Sequence, residues 1–136
     1  AVGPQVARRV VTWGRPEIDG IAVHQLTPEL APALRDTEMV VFVDACAESE
    51  EREVCVRRLE AGPGAGRGHT SDPRWLLALT EAAYGRRPEA WLVTIPAADF
   101  GLGDQLSATA QAGMSVALRQ INRLVYARNR ELAADA

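Results

Sequence analysis

The run Met39-Val40-Val41-Phe42-Val43-Asp44-Ala45 constrains the fold more than any other stretch of the chain. Five consecutive apolar residues, four of them β-branched or aromatic, have the length and chemistry of a strand buried on both faces, as in the interior of a parallel sheet. The run ends in a carboxylate. In open α/β sheets ligands bind beyond the carboxyl ends of the strands, so Asp44 stands where such a fold does its chemistry. An aspartate at that place is equally a common turn former, and the stretch alone does not decide between the two roles.

The elements around this run follow from caps and periodicity. Pro4 suits a first helical turn, Val6, Ala7, Val10 and Val11 repeat at helical spacing, and Gly14 supplies a stop. Ile21 to Leu26 reads as a short strand near a sheet edge, with His24 on its surface. Thr27-Pro28-Glu29 opens a second helix that should run to about Arg35. Beyond the buried strand, Glu48 to Glu53 is a charged turn, and Val54 to Leu59 has the pattern of an edge strand. Four glycines in the seven positions 62–68 exclude a regular element and make a loop that delivers His69.

A third helix begins at Asp72-Pro73, carries Trp75, Leu76, Leu79, Ala82 and Ala83 on its buried stripe, and ends at Gly85. Ala90 to Ile95 is a further strand closed by Pro96. The loop 99–104 leads to Ser107, a cap for a last helix with Met114, Ala117, Leu118, Ile121, Leu124 and Val125 on one face and Arg119, Arg123 and Arg130 off it. Helices alternating with strands define a layered α/β class, and 136 residues fit one domain, 1–136, with a real core.

Composition removes several functions. None of the 15 basic residues is lysine, which excludes Schiff-base chemistry and a Walker-type phosphate loop. No basic run exceeds two residues and the net charge is -3, so neither a nucleic acid nor a membrane surface is the expected partner. No apolar stretch approaches a membrane span, and two cysteines, Cys46 and Cys55, fit reduced thiols, so a soluble cytoplasmic protein is expected. No G-x-S-x-G elbow occurs, and Ser71 and Ser107 are explained as helix-entry residues.

His69 lies just upstream of a helix N-terminus, whose dipole disfavours the imidazolium and leaves the neutral, metal-binding form. A loop histidine is also a common incidental residue. With Asp44 it would make a mixed oxygen and nitrogen site suited to a borderline divalent ion such as nickel or zinc. Two ligands are fewer than a protein site normally has. Cys46, two residues past Asp44, is a thiolate candidate beside the simpler reading of a small buried thiol.

Taken in order, Val2-Gly3-Pro4, His24-Gln25-Leu26-Thr27-Pro28-Glu29-Leu30, Val41-Phe42-Val43-Asp44-Ala45, His69 with Pro73 and Leu76-Leu77-Ala78-Leu79, and the Phe100 to Ser107 loop ending in Leu106-Ser107 resemble the hydrogenase maturation proteases. The likeness runs from Ala1 to about Ile121. It implies a three-layer α/β/α fold around a twisted, mostly parallel sheet. It also implies an endopeptidase, a hydrolase classed as an aspartic-type protease, that removes the C-terminal extension of the [NiFe]-hydrogenase large-subunit precursor once nickel is inserted. In that family an acidic residue from an N-terminal loop, an Asp at a strand end and a His before a helix hold the metal, which the substrate brings. The second and third match Asp44 and His69, which the resemblance makes the catalytic and nickel-binding pair. The family's first strand and first acidic ligand would precede Ala1, so the chain as written is expected to lack both and to be impaired as a protease. Two other readings stand beside this one: a non-catalytic α/β module that holds a metalloprotein precursor, and a peptidase of the same fold with another substrate.

Overall fold

The computed structural model describes residues 2–23, 25–46, 53–62, 72–97 and 107–134. In chain order these form helix α1 (Val2–Val11), a 3-10 turn (Pro28–Leu30) leading into α2 (Ala31–Arg35), strand β1 (Met39–Cys46), strand β2 (Cys55–Leu59), helix α3 (Pro73–Tyr84), strand β3 (Glu89–Pro96) and helix α4 (Ala108–Ala134). The fold is of the α/β class. No described helix is long and apolar enough to cross a membrane.

The strands form one sheet in the order β1-β3-β2. Glu89 N-H donates to the Glu38 carbonyl and Ala97 N-H to the Cys46 carbonyl, both at 3.0 Å and both across a step of 51 residues. A constant step means a fixed register between strands pointing the same way, so β1 and β3 are parallel. Two expectations are corrected here. The central strand among the three is β3, where Ala90, Val93 and Ile95 are fully buried, whereas no residue of β1 is and its Asp44 and Ala45 are exposed. The expected strand at Ile21 to Leu26 is absent among the described residues, which are irregular, with His24 outside them.

The backbone groups into two compact units. One comprises Ala1–Ala22, Val43–Val56 and Val93–Ala136, and within it α1 packs against α4. Helix α1 buries Val2, Val6 and Val10, a spacing of four residues that places all three on one stripe. It begins at Val2, so Gly3 and Pro4 lie inside its first turn, and Gly14 at φ 64° follows its end. Helix α4 buries Ala110, Gly113, Ala117 and Ile121, the first three small residues that let the helix approach closely. A β-carbon at Gly113 would lie 2.7 Å from Cγ2 of Ile95. The helix entry is as expected: Ser107 Oγ accepts from Ala110 N-H at 3.1 Å.

The other unit comprises Val23–Phe42 and Arg57–Leu92. Its core is Ala31, Leu34 and Leu76, with Leu26, Leu30, Val40, Phe42 and Leu79 packed around them. Asp72 caps α3, its side chain accepting from Arg74 N-H at 2.8 Å, and Gly85 closes the helix in the left-handed region at φ 75°. The buried stripe of α3 is Leu76, Leu77 and Thr80, while Trp75 and Leu79 are half-buried and Ala82 and Ala83 exposed. The stripe is therefore rotated from its expected position. Thr80 tolerates full burial because its hydroxyl donates to the Leu76 carbonyl at 2.8 Å. Thr27, expected as a cap for the second helix, makes no capping bond from its side chain.

Candidate functional site

Asp44 sits near the carboxyl end of β1, beside the parallel strand β3. Successive side chains of a strand point to opposite faces, so exposure of both Asp44 and Ala45 leaves the strand open on both sides at that level. The carboxylate is solvated. Its Oδ1 accepts from the backbone N-H of Ala45 at 2.9 Å, the local bond that aspartates make at strand ends and turns. One oxygen is thereby oriented, and the other has no protein partner among the described residues. An exposed, oriented carboxylate is an available hard oxygen ligand.

His69, the other half of the expected pair, lies outside the described residues, as do His24, the glycine-rich segment 63–68, and the whole of the loop 99–106. Among the described residues no three His, Cys, Asp or Glu side chains gather into one group. Asp44 is the described member of the expected pair.

Cys46 belongs to the same strand two residues on, hence to the same side as Asp44, and it is half-buried and in no disulfide. Cys55, at the start of β2, is half-buried and in no disulfide. Because β3 lies between their strands, the two are separated by two strand spacings, about 9.5 Å. That exceeds the reach of a disulfide, about 4.4–6.8 Å between α-carbons. The expectation of two reduced thiols therefore has a geometric reason within the fold.

A resolved electrostatic perturbation lies at the end of α2. The Arg35 guanidinium hydrogen-bonds Asp36 at 3.1 and 3.2 Å, and this bond holds the Asp36 carboxyl below its ordinary value and raises Arg35. Arg35 also lies 4.9 Å above the Tyr84 ring. A parallel pairing sets Arg58 5.8 Å over Trp91, whose indole N-H donates to Glu89 at 2.8 Å.

No family model, no curated protein and no solved structure matches the chain.

Proposed function

We propose that the chain is the α/β domain of a metal-dependent peptide-processing enzyme of the hydrogenase maturation protease type. Its substrate would be the nickel-loaded large-subunit precursor of a [NiFe]-hydrogenase, whose C-terminal extension it removes in the cytoplasm. The observation that supports this reading is the exposed Asp44 carboxylate at the carboxyl end of a strand that runs parallel to its neighbour. Such a position is where α/β sheets bind ligands.

In this proposal Asp44 and His69 grip the nickel that the substrate carries and fix the scissile peptide against the crevice, so that positioning supplies much of the rate. Hydrolysis adds the hydroxyl of a water to the peptide carbonyl carbon and passes its proton to the departing amine, with charge on the carbonyl oxygen offset by the bound cation. The resemblance implies a third, acidic ligand beside this pair and a three-layer α/β/α arrangement. Recognition of the metal makes the cleavage conditional on its insertion.

The test is a processing assay with nickel-loaded and nickel-free precursor, followed by mass spectrometry of the released C-terminal peptide. The proposal expects release from the loaded form only, and loss of release in His69→Ala with an unchanged circular dichroism spectrum. Cleavage that persists in His69→Ala, or that ignores nickel, refutes the site. Tight binding of the loaded precursor without any release would make the chain a non-catalytic holder instead.

A further inference from the structure

The outer face of α4 carries Arg119, Arg123, Tyr126 and Arg130, all exposed. Steps of four, three and four residues each bring an α-helix back to nearly the same side, so the four side chains form one stripe spanning about 16 Å. Ala117 and Ile121, both buried, flank Arg119 at two residues' distance, about half a turn. The stripe therefore points directly away from the packed side. Arg130 holds its guanidinium 5.9 Å over the ring of Tyr126, which is 62% exposed.

The charge pattern is not that of an ordinary solvated helix. Surface helices usually mix signs, with acid and base paired four residues apart. Over α4, Ala108–Ala134, there are four arginines and one acid, Glu131 near its end, in a chain whose net charge is -3. Arg119 and Arg123 repel each other across one turn and make no ion pair among the described residues. The helix dipole does not account for them, because its field acts within the last turn and Arg119 lies about four turns from the end of α4 at Ala134.

We propose that this stripe is a docking face for an acidic, helical protein surface. A partner helix laid alongside would present carboxylates at the same repeat, each meeting one guanidinium, with Tyr126 as the aromatic anchor. Arginine and tyrosine are the residues that most often anchor such contacts. A nucleic acid is the poorer fit, since its affinity comes largely from neutralising many phosphates and the stripe offers three cations on a chain of net charge -3. The proposal is independent of the metal site.

The probe is a synthetic helical peptide with Glu at positions i, i+4 and i+11, compared with a peptide of the same composition and shuffled Glu positions. Fluorescence anisotropy with the full chain measures both, and a single-stranded oligonucleotide and a duplex serve as other polyanions. The matched peptide is expected to bind about tenfold tighter than the shuffled one, to weaken as salt is raised, and to lose that advantage in Arg119→Glu/Arg123→Glu. The milder Arg119→Gln/Arg123→Gln provides the same reading should charge reversal unfold the chain. Equal binding of the two peptides, no binding of either at low salt, or tighter binding of an oligonucleotide than of the matched peptide overturns the proposal.

Discussion

Gly3→Ala is the substitution in which local preference and packing pull hardest in opposite directions. Gly3 lies in the first turn of α1, and a β-carbon there would stand 2.8 Å from the backbone carbonyl oxygen of Val43. An ordinary carbon-to-oxygen contact is about 3.3–3.6 Å, so helix and strand must part by roughly half an ångström or more. The obstructing atom is backbone and has no rotamer to escape into. Pro4 adds to the cost, because a residue with a β-carbon is disfavoured in the helical region just before proline.

Against this, alanine gains up to about 1 kcal/mol over glycine in a helix, while overpacking costs about 1–3 kcal/mol. The net expectation is a loss of about 1 kcal/mol, or about 2–5 °C in Tm for a chain of this size. Urea unfolding measures it as a lowered midpoint at unchanged slope. Because Val43 directly precedes Asp44, the variant also tests whether α1 holds the candidate site in place. A variant as stable as the natural chain, or more stable, would refute the close approach of α1 to β1.

Three further outcomes follow from single contacts. Asp72→Ala removes the cap of α3 and should cost about 1 kcal/mol, read as a lowered urea midpoint that Asp72→Ser largely restores. Leu77→Ala empties a site that is 0% exposed and should cost about 2–5 kcal/mol, measured the same way; a loss under 1 kcal/mol would contradict its burial. Asp36→Asn tests the lowered carboxyl: the folded value lies below the unfolded one, so the stabilisation is present above about pH 4 and disappears as pH falls through the folded value. Natural and variant chains should accordingly differ slightly in Tm at neutral pH and converge in strong acid, and a difference that grows on acidification would reverse the sign of the linkage.

Helix boundaries were legible in the sequence wherever a cap and a stop bracket a periodic stretch. Asp72 with Pro73 and Gly85, Ser107, and Gly14 all mark ends that the fold uses. Sheet order was not legible. The apolar run at 39–43 looks more central than Ala90 to Ile95, yet hydrophobicity reports how much surface a strand can bury and not how many neighbours it pairs with. Trp91 and Thr94 dilute β3 while Ala90, Val93 and Ile95 fill the core. The stripe of α3 was misplaced for a related reason: Thr80 reads as a surface residue until its hydroxyl finds the Leu76 carbonyl, and Trp75 and Ala83 compete for the same periodicity. Ile21 to Leu26 alternates like a strand, but sheet pairing requires a neighbour that the pattern does not supply. Of the candidate site, Asp44 was readable from the strand that ends in it, and its exposure was not, since exposure depends on what packs beside the strand.

The functional account turns on the Asp44 carboxylate as a ligand for the substrate's metal. The most direct measurement is the affinity of the chain for nickel-loaded precursor, by surface plasmon resonance, with Asp44→Asn as the comparison. Asparagine keeps the shape and can still accept from Ala45 N-H, while it removes the negative charge that a divalent ion requires. The account predicts that Asp44→Asn binds loaded precursor no better than the natural chain binds nickel-free precursor. Equal affinity of the natural and Asn chains for the loaded form would contradict it.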